Sequence, residues 1–450
     1  MSLVNPHLQY DSIPFSKVDF PSLPFTAENQ AIFNWWHEPQ SPAIRPDYVC
    51  EQFYDGELLR DGFFILTEAS TAGYSGAMTD RLGMFFGEFQ QILLTELNLG
   101  MVAVPSVLQP VVADALGEVC CFPSILNPDF YGQNAAAAGY NGLVNDYVSG
   151  NYTTTGPKVP HLFVAWVLKK LAILTNTTIE GNFFTHPQWS KLVLYHIREL
   201  NGAASFETKN YLPDWTIETL LLELRKIPNL KFTFKPLDRV LSIDFWEDDL
   251  AATTGLDWSK KATRGESRTP ELNPRLQLGY ELDSNDALMK DKPAALSDYI
   301  TPLLPNQPSG IAKLSCKFST LLTDPVSGLA TAKQIGISSS YAQGASKLMP
   351  RLLFWNGIVA TKPRALPTMG GLSLYWNGVD GLAKKCWANT EAQRGRQFYL
   401  KKNFVMNEMD LASLDFGKKV HVNGVDYLVA SVDAELPLTK EVQTLLVGGV

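Results

Sequence analysis

The chain has 450 residues and a mass of 49.9 kDa, enough for about three ordinary domains or two large ones. Hydrophobic residues make up 45% and charged residues 19%, which excludes wholesale disorder. The formal net charge is −8, and the basic residues are scattered, densest in the pairs Lys260-Lys261, Lys401-Lys402 and Lys418-Lys419. Nucleic acid is therefore disfavoured as the main ligand, and the pairs read as solvated surface.

The first 25 residues interleave Pro6, Pro14, Pro21 and Pro24 with Leu8, Tyr10, Phe15, Phe20 and Phe25. Proline keeps such a segment extended, so it reads as an arm. Two placements are open: packed on its own domain, or on a neighbouring subunit. Nothing in Met1 to Asp11 resembles a signal peptide, and the apolar run Leu162 to Leu168 is too short to span a bilayer. A soluble chain is expected.

Thr26 can cap a short helix running to Trp36. Strands are expected at Tyr48–Tyr54 and Gly62–Thr67, with a turn at Asp55-Gly56. Met84 to Leu99 reads as an apolar helix. Residues 122 to 160, with the run Ala135 to Ala138 and several glycines, read as a long loop. His161 to Leu174 and Ile217 to Ile227 read as helices, the second followed by Pro228. A hairpin with period-two alternation follows, Leu230–Phe234 and Val240–Phe245. Residues 251 to 310 are polar and rich in Asp, Ser and Pro, which suggests a junction. Strands are expected at Lys313–Leu322, Arg351–Val359 and Leu372–Trp376. Trp355-Asn356-Gly357 and Trp376-Asn377-Gly378 read as two turns. A helix is expected over Leu382 to Gln393. A last hairpin joins Val420–Val422 to Tyr427–Val432 through Asn423-Gly424.

These elements predict a β-rich α+β chain of several domains, barrel-like or sandwich, with a small α+β insertion. The expected division is an arm at 1–25, a β-rich domain with long loops at 26–155 and an α+β unit at 156–250. A polar junction at 251–310 and a C-terminal β-rich domain at 311–450 complete it.

Five cysteines, Cys50, Cys120, Cys121, Cys316 and Cys386, include no CxxC pair. That argues against a thiolate zinc site or a disulfide scaffold and for free thiols in a reducing compartment. Adjacent Cys120 and Cys121 read as buried thiols. Six histidines form no HExxH motif. His196 and Glu199, three apart, are the nearest approach to a metal pair. His421 beside its turn reads as exposed.

Asp244, Glu247, Asp248 and Asp249 form the densest carboxylate group. Such a group could serve glycoside hydrolysis or hold calcium, though an acidic run after a strand is usually a solvated helix start. Glu281, Asp283 and Asp286 form a looser group of the same kind. There is no GxxxxGK[ST], no GxGxxG opening a helix, and Gly73-Tyr74-Ser75-Gly76 is one residue short of a nucleophile elbow. No cofactor, metal or catalytic residue is indicated, which shifts weight toward a structural or binding protein. Trp35, Trp36, Trp355, Trp376 and Trp387 could form a sugar-stacking face or serve the core and subunit contacts. Trp355 and Trp376 are the glycan-stacking candidates.

The layout resembles a known family. The arm carries Asp19-Phe20-Pro21, followed by Asp55-Gly56-Glu57 and Gly62-Phe63-Phe64-Ile65. Phe122-Pro123-Ser124-Ile125, Val159-Pro160, Val167-Leu168 and Leu212-Pro213-Asp214-Trp215-Thr216 come next, then the hairpin ending at Asp244. Arg351-Leu352-Leu353-Phe354, Leu374-Tyr375-Trp376, Gly381-Leu382, Leu411 and the Val420 to Val432 hairpin close the chain. This layout resembles tail and baseplate structural proteins of tailed phages and prophages, especially of Bacteroidetes-type hosts. More distantly it is similar to the hub proteins that join tail tube to tail tip. The resemblance implies barrel-like domains and a homo-oligomeric ring, trimer or hexamer. It also implies other tail proteins as partners and a place in the virion tail after assembly in the host cytoplasm. The arm residues Leu8, Tyr10, Phe15, Phe20 and Phe25 become candidate subunit contacts. Deleting residues 1 to 25 would then abolish assembly and leave a folded core. A glycan-binding module of the adsorption apparatus and a glycoside hydrolase are the alternatives.

Overall fold

The computed structural model describes residues 1–42, 47–54, 56–80, 85–136, 138–341 and 348–450. The chain is α+β and rich in strands, which are distributed over nine sheets among the described residues. The largest sheet, of eleven strands, is an open path and does not close into a barrel. Nine of its strands follow in the order Ala262–Pro270, Phe398–Phe404, Val442–Gly448, Val425–Asp433, Ser2–Val4, Lys17–Asp19, Gly73–Thr79, Glu57–Ser70 and Asp47–Tyr54. Every step along this path is antiparallel.

The sheet is built from both ends of the chain. In the C-terminal hairpin, Lys419–Val422 pairs only with the first part of the strand Val425–Asp433. Ser2–Val4 takes over along the same edge, with Leu3 opposite Val432. The arm then returns as Lys17–Asp19 against Gly73–Thr79. Two short segments of the arm thus join the C-terminal strands to the hairpin of residues 47–70.

Most buried side chains form one cluster, running in sequence from Phe63 to Trp387. It holds the helix Val164–Thr175, the helix Ile217–Lys226 and the hairpin Leu230–Lys235 with Val240–Phe245. Thr216 caps the second helix by accepting from the Thr219 amide at 3.2 Å. A second cluster around Leu3, Phe404, Val432 and Leu446 underlies the C-terminal strands. A third, of Phe33, Phe64, Leu66 and Tyr74, holds the hairpin of residues 47–70 to the helix Ala27–Ile32.

Several expected elements take another form. Met84 and the other residues of 81–84 lie outside the described residues, as do Asp55 and Ala137. Phe85 is helical, but from Phe86 to Leu99 the stretch holds a short 3-10 turn, Gly87–Phe89, and no α-helix. Phe85, Phe86, Leu94 and Leu97 are all buried there, so tertiary packing outweighs the helical pattern. The polar segment 251–310 contributes the edge strand Ala262–Pro270 and the strand Arg275–Tyr280. Trp355-Asn356-Gly357 lies within the strand Arg351–Val359, where a bulge between Trp355 and Gly357 absorbs the extra residue. The helix expected over 382–393 is broken at Trp387 into Leu382–Cys386 and Ala388–Arg394.

Candidate assembly surfaces

The arm is tied down by hydrogen bonds as well as by its strands. The Asn5 side-chain amide donates to the carbonyls of Phe416 (3.0 Å) and Val429 (2.8 Å). Arg225, buried in the last turn of its helix, donates to the carbonyls of Pro6 and His7 at 3.1 Å and of Ser12 at 3.3 Å. Burial pulls the Arg225 guanidinium down to about 10. His7 lies over Trp246, with ring centres 5.1 Å apart, and burial holds its pKa well below the usual value.

The candidate contact residues of the arm divide unequally. Leu8 packs against the Trp246 and Leu428 cluster. Tyr10 meets Trp387 edge-on at 4.9 Å. Phe20 and Phe25 pack into the hairpin cluster, Phe25 stacked on His37 at 4.3 Å. Phe15 alone of the five is exposed.

The two ends of the large sheet are different. At one end, Asp47–Tyr54 has no strand on its outer side among the described residues. Its Val49 and Phe53 are 51% and 57% exposed, and Leu58, opposite Phe53, is 42% exposed. Beside it the helix Ala27–Ile32 buries none of its residues, and Ile32 and Trp35 face solvent. Trp35 follows Asn34 in the left-handed region, at φ +55° and +48°, a conformation that costs a bulky residue about 1 kcal/mol or more. A shallow apolar groove of about 260 Å³ runs between helix and strand, floored by Phe33 and Phe64. Glu51 sits directly opposite Asp61, two carboxylates on one face of the hairpin. Residues 19–61 carry eight carboxylates and two arginines.

At the other end, Ala262–Pro270 is likewise unpaired on its outer side among the described residues. Residues 260–275 and 394–402 together carry nine cations and two carboxylates. Lys401-Lys402 stand opposite Ser267 and Glu266, and Lys261 lies beside Val405, so both pairs, read from the sequence as scattered, fall along the same two strands. Glu266 holds Lys402 at 3.0 Å, and Lys261 is paired with Asp410. The Arg268 guanidinium lies 3.5 Å over the Phe398 ring. Next to this strand Leu272, Ile300, Leu303 and Leu304 are exposed. The segment holding the last three is laced to Arg275–Tyr280 by Ile300 opposite Gln277 and by the Arg275 Nε bond to the Thr301 carbonyl.

Three of the four carboxylates considered for hydrolysis are engaged in holding the fold, and the fourth, Asp248, is exposed. Asp244 accepts from the Asn182 amide at 2.9 Å. Glu247 caps the helix Ala388–Arg394, accepting from the amides of Asn389 (2.6 Å) and Thr390 (3.0 Å). Asp249 is paired with Lys231 at 2.5 Å. Asp283 and Asp286, read as solvated, are fully buried against Arg351. The reason is that a matching cation arrives from a strand 65 residues away. Gln334 completes the cluster, and Tyr195 lies 4.6 Å under the guanidinium.

Trp355 and Trp376 are core residues. Trp376 is fully buried with its ring 5.3 Å from Tyr280, and Trp355 is 6% exposed, so neither offers a face to a sugar. His196 is half-buried, accepts from the Arg198 amide at 3.0 Å and is pushed down to about 3 by desolvation. His421, beside its turn, is paired with Asp426 at 2.7 Å. Among the described residues no three His, Cys, Asp or Glu side chains converge as a metal site. All five cysteines are free, and Cys120 and Cys121 are both buried. Among the described residues no helix is long and apolar enough to cross a membrane.

No family model and no curated protein matches this chain. Solved structures overlap it loosely. A 43 kDa tail protein of prophage MuSo2 from Shewanella oneidensis shares 9% identity at a TM-score of 0.37, covering 99% of this chain and 90% of its own. A tail protein from Neisseria meningitidis shares 11% identity at a TM-score of 0.36, again covering 99% and 90%. A prophage tail protein from Listeria monocytogenes shares 10% identity at a TM-score of 0.31, covering 67% of each chain.

Proposed function

We propose that this chain is a non-enzymatic structural protein of a phage or phage-like tail, a hub or baseplate component that works by assembling with copies of itself and with other tail proteins. The observation that carries this reading is the pair of open sheet ends. Each leaves a strand edge unpaired among the described residues and sets several large apolar side chains in water. Apolar patches left on a surface beside such edges are the mark of protein contact. The sequence resemblance to tail structural proteins supplies the setting. A ring closed by rotation uses two different surfaces of each copy, which suits two unlike ends.

The reading is tested on particles. Antibody raised against this chain should label the tails of particles purified from the source strain, and quantitative mass spectrometry should give a fixed copy number per particle. Particles with intact tails that lack the chain would overturn the proposal.

A further inference from the structure

The self-assembly proposed above leaves open which surfaces meet. We propose that copies of this chain dock head to tail, the acidic hairpin end of one copy seating on the basic end of the next. The inference rests on the self-assembly reading and adds the contact.

Three features match. Both ends belong to one sheet, so the contact runs from one edge of the sheet to the other. Each end carries an exposed apolar patch, Ile32, Trp35, Val49, Phe53 and Leu58 on one and Leu272, Ile300, Leu303 and Leu304 on the other. Their surroundings carry opposite charge: Glu28, Glu51 and Glu57 are exposed carboxylates at one end, and Lys260, Arg264, Arg268 and Lys401 are exposed cations at the other, where Glu266 and Glu441 are the nearby carboxylates. The Glu51 and Asp61 carboxylates face each other across the hairpin, an arrangement that like charges disfavour and that an approaching cation relieves. Arg264 and Lys401 are exposed cations of the basic end.

The contact is made by side chains more than by strand addition. The strand Ala262–Pro270 is irregular between Ala262 and Glu266, has Gly265 at φ +91° and ends in proline. All three features discourage a partner strand. Apolar groups at the centre of the contact and charges at its rim give association that salt weakens.

The test uses two variants of the whole chain, E51K/F53S at the acidic end and R264E/K401E at the basic end. Sedimentation velocity over a concentration series should show the intact chain assembling. Each variant alone should stay at the mass of one chain, with association weakened by about tenfold or more per reversed charge. An equimolar mixture should form pairs, because each variant keeps the end the other has lost. Variants that assemble as the intact chain does would overturn this contact and leave self-assembly standing. An intact chain that stays at 49.9 kDa at every concentration would overturn both. Should a variant misfold, carbodiimide cross-linking of the intact assembly decides instead. Links between copies should join carboxylates of residues 19–61 to Lys260 or Lys401, and cross-links confined to other surfaces would overturn the contact.

Discussion

Residues 2–19 and the hairpin Asp47–Tyr54 with Glu57–Ser70 both carry large apolar side chains and both contribute strands to the same sheet. The first segment spends its side chains inside: Leu3 and Val18 are buried, Asn5 bonds two carbonyls, and Arg225 holds three more. The second leaves Val49, Phe53 and Leu58 in water. Alternation and proline content cannot tell these fates apart. What separates them is whether the rest of the chain brings a partner to the edge. For the arm, the C-terminal hairpin stops short and leaves an edge to fill. For the hairpin end, no described strand arrives.

That contrast can be broken most forcefully by removing residues 1–19. The sequence suggested that deleting residues 1–25 would leave a folded core. The structure requires a larger effect, because the deletion removes two strands and orphans the buried Arg225. A loss of about 5 kcal/mol or more is expected, which is comparable to the stability of a whole domain. Circular dichroism should show the cooperative melting transition lost or lowered by more than about 10 °C.

Arg351→Met comes next. It leaves Asp283 and Asp286 buried without their cation and should cost about 3–5 kcal/mol, read as a fall in the urea midpoint. Adding D283N and D286N should recover much of that loss. Arg225→Met should cost about 3 kcal/mol, read the same way, because it removes the donor to three arm carbonyls.

A graded effect, spread over several pH units, is set by pH. His161 and His196 are held neutral by burial, each pushed down to about 3 in the folded chain. The unfolded chain protonates them near their ordinary value of about 6.5, so it binds more protons between those limits. Stability should therefore fall as pH drops from about 6.5 towards 3, by up to about 1.4 kcal/mol per pH unit for each histidine. H196Q should flatten that slope in a series of urea midpoints.

Phe53→Ser sharpens the comparison from the other side. It should change folding stability by less than about 0.5 kcal/mol, as exposed substitutions do, while weakening self-association in a sedimentation series.

Elements with strong local patterns were legible in the sequence. The hairpin Leu230–Lys235 with Val240–Phe245 and the helix Ile217–Lys226 form where the period indicates. The arm's extended form was legible from its prolines, but its pairing with Ser431–Asp433 joins residues more than 400 apart. The strand Ala262–Pro270 is almost wholly exposed, so it has no buried face to leave a pattern. The buried Arg351 cluster was hidden because its carboxylates precede the arginine by 65 residues or more. The basic end was invisible for the same reason, since the two distant lysine pairs fall along one pair of strands only after those strands pair.

Hydrogen exchange on the assembled and the diluted, dissociated chain compares the two regions directly. The amides of Ser2–Val4 and Lys17–Asp19 should be protected in both states, because their partners lie within the same chain. Amides of residues 47–58 and 264–272 should gain protection only on assembly. Arm amides that exchange freely after dissociation and become protected on assembly would contradict this picture, and would make the arm the contact between copies.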